Sequence, residues 1–489
     1  MRVFAGALLF ASLLSAQTDR YQQELQPLLE NLVRQQEIPG FSIAVVENNR
    51  IAYAVAFGVR NVSRRDDPIT TRSLFHMASI TKTFVATSIM QLVEQGKIDL
   101  DAPVVKYLPY FRMADERYKI ITVRKMVTHT SGMPDVDDYE WDKPQYDDAA
   151  LERYVRRLTN LKLVFAPGEK FRYSNMAFEI LGDVIAKVSG ESFDDYVQRH
   201  ILTPLAMKDS TLLVKQADPK LLAWGHELDE NGNPFPSKVY PYNRIHSPSS
   251  DLHSNALDMA RYAIANMNLG ELDGKRILKA STYDLMWKPS GELDGKPAPT
   301  GISWFVGEYH GNKQVSHGGG DTGFRTGLTL LPEKKIAVVW MTNGEWIPNT
   351  GEVTNAALDV ALGLEPKPFT GKRSLAQAVF QAYSGHGIDA ALALVGTLKK
   401  QRPDLYNFAP GQLNSFGQYL IRNNHAADAI RIFRLNLEAY PDNAPAYDGL
   451  ASAYEVTGER DLATRNYEKA LELDPKLTHA SDSLKRLKN

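Results

Sequence analysis

The sequence predicts an α+β domain, with an antiparallel sheet flanked by helices and a mainly helical subdomain, followed by an all-α repeat domain. Apolar runs typical of β-strands occur near both ends of the first part of the chain, with helices and loops between them. One sheet that joins the two ends accounts for this order. A Pro/Gly-rich break follows at residues 363–374, and beyond it residues recur with a period of 34.

Local patterns predict the elements of the α+β domain. Gly40–Asn61 contains two β-like runs around a polar turn and predicts a hairpin. Ser79–Lys97 predicts a helix, because Val85, Ile89 and Leu92 lie on one apolar face. Four short strands in a meander, followed by a helix, are predicted from "ISWFVGEY", "KQVSH", "GFRTGLTLLP", "KKIAVVWMTN" and "VTNAALDVALG".

The C-terminal part resembles tetratricopeptide repeats. Over one period, Pro441 recurs as Pro475 and Ala429 as Ala463. Small residues at such positions let two helices cross closely, and each helical hairpin buries its neighbour's face. A plain helical bundle is the alternative. The helix faces of such repeats suit a peptide or a partner protein, although docking on the first domain is the other use. The repeat positions are Tyr447, Leu450, Ala451, Tyr454, Ala463, Tyr467, Ala470 and Pro475.

The first 16 residues have the layout of a secretory signal peptide. Arg2 precedes an apolar run, Val3–Leu14, and small residues follow, with cleavage expected after Ala16. A buried N-terminal helix is the alternative. The run is shorter than the about 20 residues that span a bilayer. We expect an exported protein, periplasmic or secreted, with no membrane span in the mature chain. The expected domains are 20–365 and 375–489, joined by a linker at 366–374.

Composition excludes several classes of function. The formal net charge is −2, and no Lys/Arg run with interleaved aromatics favours nucleic acid. The absence of cysteine excludes disulfides, thiolate metal sites and a cysteine nucleophile. The 11 histidines are scattered, without the H-E-x-x-H or H-x-x-E-H spacing of a metal hydrolase. We expect neither a metal nor an organic cofactor.

Ser79 and Lys82 in "MASITKTF" form the first candidate catalytic pair. They are three residues apart at the start of a predicted helix, so their side chains share a face. The helix N-terminus favours a deprotonated serine and lowers the affinity of a nearby lysine for its proton. Such a pair can make a nucleophile without a histidine base. A surface helix is the alternative, because S-x-x-K alone is a weak signal.

Tyr173 and Asn175 in "PGEKFRYSNMAFEILG" form the second candidate group. A phenol is a poor base at neutral pH unless a cation such as Lys82 lowers its pKa. The amide of Asn175 can hold a substrate carbonyl or orient Lys82. The alternative is a helix-capping turn, with Ser174 or Asn175 as the cap.

The stretch "SHGGGDTGF", Ser316–Phe324, leaves the backbone bare for a close approach. The oxyanion loop of an α/β-hydrolase precedes its nucleophile and needs a G-x-S-x-G elbow, which this chain lacks. A phosphate loop needs a helix after the glycines, but "FRTGLTLLP" has the pattern of a strand. An ordinary turn is the alternative that the local pattern leaves open.

The order S-x-x-K, Y-x-N and H-x-G before a hydrophobic strand resembles the serine β-lactamase and penicillin-binding-protein superfamily, specifically its class C-like branch. That branch includes D-alanyl-D-alanine carboxypeptidases, D-aminopeptidases and related esterases. The resemblance covers roughly residues 20–365 and implies a β-lactamase/transpeptidase-like fold and a serine hydrolase that acts through an acyl-enzyme. Further matching stretches are "LFHMASITK", "MVTHTSGMP", "APGEKFRYSN" and "SPSSDLHSNALDMARY".

The resemblance also implies a role for each motif residue. Ser79 is the acylated nucleophile, and Lys82 and Tyr173 share proton transfer, with the acylation base left open. The N–H groups of Ser79 and Gly320 form the oxyanion hole. The residues expected to bind substrate are Asn175, His317 and Gly319.

The expected substrate is a small molecule or a peptide with an amide or ester bond. His317 stands where the family carries lysine or histidine, and it is a weaker cation than lysine near neutral pH. A substrate carboxylate is held less firmly unless Arg325 helps, which favours peptidase or esterase work over β-lactam hydrolysis. The acidic, aromatic segment 135–148 is either a flap that selects amine-bearing substrates or a solvated loop.

The alternative to an enzyme is a catalytically inactive recognition module. In that case the repeats would mediate protein–protein interaction. An active enzyme is favoured by the presence of all four motif residues, Ser79, Lys82, Tyr173 and Asn175, because a site that has lost its activity need not keep them.

Overall fold

The chain forms two compact units in a computed structural model that describes residues 19–229, 231–290, 292–293, 296–297 and 299–488. The first unit comprises the chain up to residue 227 together with 234–369, and the second comprises 228–233 together with 370–489. The predicted signal peptide, residues 1–16, lies outside the described residues.

A six-stranded antiparallel sheet forms the centre of the first unit. The strands are ordered β3-β4-β5-β6-β1-β2 across the sheet. β1 pairs with β6, with Ala44 opposite Val339, so the two ends of this unit meet in one sheet and the α+β prediction is confirmed. The strands are β1 (Gly40–Glu47), β2 (Arg50–Gly58), β3 (Phe305–Tyr309), β4 (Asn312–Asp321), β5 (Phe324–Leu331) and β6 (Ile336–Thr342).

The strand β4 is longer than the sequence predicts. We expected a strand over "KQVSH", but β4 continues through Gly318, Gly319 and Gly320 and pairs with β5 along its length. Glycine is depleted in strands because it loses backbone entropy and has no side chain to pack. Pairing with β5 overrides that preference here, so the glycines belong to the sheet and not to a loop.

Helices cover both faces of the sheet. The helices of the first unit are α1 (Gln26–Gln35), α2 (Thr81–Glu94), α3 (Val123–Val127), α4 (Ala150–Arg156), α5 (Asn175–Ser189), α6 (Phe193–Val197), α7 (Ser247–Ser250), α8 (Ala256–Met267), α9 (Ala280–Met286) and α10 (Thr350–Leu362). Short strands lie at Phe75–His76, His226–Leu228, Pro234–Pro236, His253–Ser254, Glu271–Leu272, Lys275–Arg276, Glu292–Leu293 and Lys296–Pro297.

The sheet has an apolar core on each side, so β1 and β6 are buried along their whole length. On one side, Ala44 and Val339 pack in a cluster that includes residues of α2, α5 and α8. On the other side, Ile43 and Trp340 pack in a cluster that includes residues of α1 and α10. Alternate residues of a strand point to opposite faces, which explains the continuous hydrophobic runs in these two strands.

The second unit is built mainly of helices, as predicted. Its helices are α11 (Leu375–Gln401), α12 (Pro410–Arg422), α13 (Ala426–Ala439), α14 (Ala444–Thr457), α15 (Arg460–Leu473) and α16 (Thr478–Lys488), and a short parallel pair joins Arg373–Ser374 to Tyr406–Asn407. The backbone of α11 is broken at Gly387, where φ is 80°. Successive helices from α12 to α16 pack on one another. The tetratricopeptide assignment stays a prediction.

None of the helices in the described part of the chain is long and apolar enough to cross a membrane.

The close crossing of helices in the second unit depends on two glycines. A Cβ at Gly417 would lie 2.5 Å from the Phe433 ring, and one at Gly449 would lie 2.4 Å from the same ring. Phe433 is fully buried, so its ring has glycine on two sides and little room to shift.

We predict that Gly417→Ala destabilises the second unit by about 1–3 kcal/mol through overpacking. Gly396→Ala is the matched control, since a Cβ there meets nothing within 4 Å on α11. Alanine is the better helix former, so this control should gain about 0.5–1 kcal/mol. Urea denaturation of the full chain, followed by circular dichroism, measures both changes. Equal stability of the two variants would contradict the crossing geometry.

Candidate active site

Ser79 lies in a single 3₁₀ turn, Ala78–Ile80, directly before α2. Ala78 has a φ of 48°, a left-handed conformation that a non-glycine residue adopts at a cost of about 1–3 kcal/mol. Hydrogen bonds on both sides hold the turn: the Met77 carbonyl accepts from Thr326 Oγ1 at 2.9 Å, and the Met77 N–H donates to the Leu252 carbonyl at 2.7 Å. The nucleophile is therefore presented on a fixed, strained turn.

Lys82 lies one turn later on α2 and is fully buried. Its Nζ donates to Ser79 Oγ at 3.1 Å and to the Ser249 carbonyl at 2.8 Å. Burial lowers the pKa of Lys82 to about 8, although the charges of Glu179, Asp135 and Asp321 act in the opposite direction. A substantial fraction of this amine is therefore neutral near physiological pH.

Tyr173 brings its hydroxyl to the other side of the nucleophile. The Ser79 side chain acts to lower the pKa of this hydroxyl, and the ring centroid of Tyr173 lies 5.1 Å from Lys82 Nζ. Burial is the main cause that raises the pKa of Tyr173. The sequence had left open that Lys82 lowers this pKa, but in the folded site the phenol stays protonated.

Asn175 is the first residue of α5, and its side chain turns to Asp135. The Asn175 Nδ2 donates to Asp135 Oδ1 at 3.1 Å and to Oδ2 at 3.3 Å, and its backbone N–H donates to Oδ1 at 2.7 Å. The cap of α5 is Ser174, whose Oγ accepts from the Ala177 N–H. The structure thus does not use this amide to orient Lys82.

His317 lies on β4 beside Tyr173, with 6.4 Å between the ring centroids. Burial and the charge of Lys82 lower the pKa of His317 to about 3, so its ring is neutral. The ring therefore carries less positive charge near neutral pH than the weak cation that the sequence predicted. Its Nδ1 donates to the Gly318 carbonyl at 2.7 Å, which leaves Nε2 as an acceptor; this buried atom has no partner among the described residues.

Gly319 is the point at which β4 approaches the nucleophile turn. A Cβ at this position would lie 2.4 Å from the Met77 carbonyl and 2.3 Å from Thr326 Oγ1. At Gly318 the nearest atom to such a Cβ is 3.8 Å away. The glycine at 319 therefore lets strand and turn pack together, in addition to any contact with substrate.

Gly320 follows on β4, opposite Arg325 on β5. A Cβ there would meet the Arg325 guanidinium at 2.9 Å. Alternate residues face opposite sides of a strand, so this guanidinium lies on the face away from the turn. Its charge acts on Glu345. The role of the Gly320 N–H in an oxyanion hole stays a prediction.

His129 is a site residue that sequence reasoning missed. Its ring stacks on Tyr173 at 4.2 Å, and its Nδ1 accepts from the Ser174 N–H at 3.2 Å. Burial, followed by the charges of Lys82 and His317, holds the pKa of His129 well below its usual range. The histidine in "MVTHTSGMP" was visible in the sequence, but its left-handed backbone, with φ 57°, was not.

Glu179 is a second missed residue, buried behind Lys82. Its Oε1 accepts from Ser249 Oγ at 2.6 Å and hydrogen-bonds with His246 Nδ1 at 3.0 Å. It is the first of the three carboxylates whose charges raise the pKa of Lys82. Since Ser249 also supplies the carbonyl that binds Lys82, Glu179 braces the segment that holds this lysine.

The structure thus brings the predicted Ser79, Lys82 and Tyr173 together: Lys82 donates to Ser79, and the Tyr173 ring lies 5.1 Å from Lys82 Nζ. His317 and Asn175 flank this group, and Gly319 seats β4 against it. No group of three or more His, Cys, Asp or Glu in the described ranges has the arrangement of a metal site.

Comparison with known proteins identifies the family. The model of the beta-lactamase family matches residues 25–362, so the chain belongs to this family. The penicillin-binding-protein-like fold that the sequence predicted is confirmed.

Two relatives and one solved structure show the extent of the similarity. Protein flp of Staphylococcus aureus (strain MW2) is 27% identical over 70% of this chain and 67% of its own length. Penicillin-binding protein 4 of Amycolatopsis lactamdurans is 28% identical over 65% of this chain and 84% of its own length. The structure of the octameric penicillin-binding protein homologue from Pyrococcus abyssi superposes with a TM-score of 0.61 at 27% identity, over 73% of this chain and 81% of that chain.

We predict that Gly319→Ala slows modification of Ser79 by an activated fluorophosphonate by about a hundredfold, because displacing β4 misplaces groups around the nucleophile. Gly318→Ala is the matched control, and we expect its rate to stay within about threefold of the parent, since the nearest atom to its Cβ, the Thr326 carbonyl oxygen, is at an ordinary contact distance of 3.8 Å. Rates are read from labelled protein on gels. Equal rates for the two variants would show that β4 does not seat against the turn as described.

Proposed function

We propose that this chain is a serine hydrolase that cleaves amide or ester substrates through an acyl-enzyme. The observation that carries the proposal is the fully buried Lys82 amine, 3.1 Å from Ser79 Oγ, with its pKa lowered to about 8. A nucleophilic serine needs a base of matched pKa within hydrogen-bond reach. Membership of the beta-lactamase family supports this chemistry.

Lys82 is the acylation base in this proposal. The neutral amine takes the proton of the Ser79 hydroxyl while Oγ bonds to the substrate carbonyl carbon. Tyr173 is the less suitable base, because its raised pKa keeps the phenol protonated. Its hydroxyl instead donates a proton to the leaving group as the tetrahedral intermediate collapses.

Deacylation runs through the same groups. The phenol regains its proton from the Lys82 ammonium, and the amine is neutral again. A water molecule gives one proton to Lys82 while its oxygen bonds to the acyl carbon. The Lys82 ammonium then returns this proton to Ser79 Oγ as the bond between Oγ and the acyl carbon breaks. The N–H groups of Ser79 and Gly320 are the proposed donors to the oxyanion in both steps, where one donor is worth about 3–4 kcal/mol.

The remaining expectations extend this proposal beyond the site. The signal-peptide pattern of residues 1–16 leads us to infer that the mature chain is exported. We also infer a catalytic domain at residues 20–365. Residues 375–489 would form tetratricopeptide-like repeats that bind a peptide or a partner protein. The helical packing around Phe433, with two glycines against one ring, is the feature that supports these repeats.

The proposal is tested with a panel of p-nitroanilides, p-nitrophenyl esters and a chromogenic cephalosporin, and with a fluorescent phosphonate as an active-site label. We expect turnover of at least one amide or ester and stoichiometric labelling of the parent protein. Ser79→Ala should abolish labelling and lower turnover by about 10⁴-fold or more. Ser88→Ala is the matched control: Ser88 is a buried serine farther along α2 whose Oγ bonds the Phe84 carbonyl within the helix.

Absence of a Ser79-dependent label and of turnover across the panel would contradict the proposal. That outcome would favour the alternative of an inactive recognition module. Labelling lost equally in the Ser79 and Ser88 variants would point to misfolding, which circular dichroism of both proteins detects.

A further inference from the structure

Asp135 is a carboxylate at the edge of the candidate site that forms no ion pair with any residue the structure describes. Of the three carboxylates that act on Lys82, Glu179 is fully buried behind it, and Asp321 bonds His76 Nε2 at 3.2 Å. Asp135 remains partly exposed, next to Asn175 at the start of α5. Its charge also acts on Tyr173, whose ring centroid lies 5.1 Å from Lys82 Nζ.

The bonds to Asp135 fix which end of the Asn175 amide is free. A carboxylate accepts hydrogen bonds only, so the NH₂ group of Asn175 must face Asp135. The carbonyl oxygen of that amide then has no partner among the described residues. Asn175 therefore has a hydrogen-bond acceptor that is free to receive a donor from a ligand.

His317 independently presents a second hydrogen-bond acceptor in the candidate site. Its Nδ1 donates to the Gly318 carbonyl, so Nε2 is an acceptor as well. This atom is on a side chain that is only 2% exposed and has no partner within the described part of the chain. A buried acceptor without a partner is costly unless a ligand or water donates to it.

The segment that follows Asp135 carries an aromatic side chain. Tyr139, four residues after Asp135, stacks on Trp141 with 4.8 Å between ring centroids. Asn243 Nδ2 donates to the carbonyls of Tyr139 and Glu140 at 3.3 and 3.2 Å, which fixes the backbone of this segment. Burial is the main cause that raises the pKa of the Tyr139 hydroxyl, and the charges of Asp321 and Asp135 act in the same direction.

We propose that Asp135 and Asn175 bind a protonated amino group of the substrate. The inference rests on the proposed hydrolase function and names its substrate class: amides or esters that carry an ammonium group and no carboxylate near the scissile bond. The ammonium donates to the Asp135 carboxylate and the Asn175 carbonyl oxygen. Neutral His317 offers no charge to a substrate carboxylate.

The test compares matched substrates at pH 7. Alanine p-nitroanilide and its N-acetyl derivative place or remove an amine in the acyl part. The acetate esters of 4-(aminomethyl)phenol and 4-methylphenol do the same in the leaving group. We expect kcat/KM to be about fivefold or more higher for the amine-bearing member of one pair, and the pair that responds locates the amine.

Asp135→Asn removes the charge but keeps an oxygen that can accept from the Asn175 N–H. We expect this variant to bring the kcat/KM ratio of the responding pair to about one, through the amine-bearing member. Asp137→Asn is the matched control on the same exposed segment, and it should leave the ratio unchanged.

Two results would overturn the inference: ratios near one in both pairs with the parent protein, or an Asp135→Asn variant that loses activity equally on both members of a pair. The second result would mean that Asp135 only positions Asn175 or changes the pKa of Lys82. Both results leave Ser79-dependent turnover intact, so they are distinct from failure of the proposed hydrolase function, in which no substrate is turned over and both proposals fall.

Discussion

The burial of the Lys82 amine against the Ser79 hydroxyl is the interaction on which the rest of the site depends. A charged ammonium is costly to bury, and the carboxylates that act on it offset only part of that cost, since its pKa is still lowered to about 8. The packing of α2 against α5 and α7 encloses the amine and leaves it the Ser79 Oγ and the Ser249 carbonyl as partners. The fold thereby places a proton acceptor next to a nucleophile without a charged histidine.

The nucleophile turn and the strand beside it are fitted to each other at backbone level. Ala78 is held in a left-handed conformation, and Met77 bonds to both Leu252 and Thr326. The approach of β4 to this turn leaves no space for a Cβ at Gly319. Strain at the turn is thus maintained by packing from the sheet, which is how sparsely populated backbone conformations persist at functional sites.

Local sequence could predict much of this architecture, because apolar periodicity and the three-residue spacing of Ser79 and Lys82 are local signals. The length of β4 could not be predicted, since strand pairing overrides the poor propensity of three consecutive glycines. The orientation of the Asn175 side chain could not be predicted from local sequence either. Its partner Asp135 is 40 residues away in the chain, and the contact exists only once α5 and the preceding segment are packed. The neutral state of His317 likewise follows from burial that no local pattern reveals.

The pH dependence of Ser79 acylation by an uncharged activated ester tests the central claim most directly, because such a substrate does not titrate and does not engage Asp135. Neutral Lys82 is the reactive form, so the account predicts an acylation rate that rises tenfold per pH unit below a midpoint of about 8 and is level above it. A rate that keeps rising above pH 10 would assign the base to Tyr173. A rate that is independent of pH between 6 and 9 would contradict a buried lysine base.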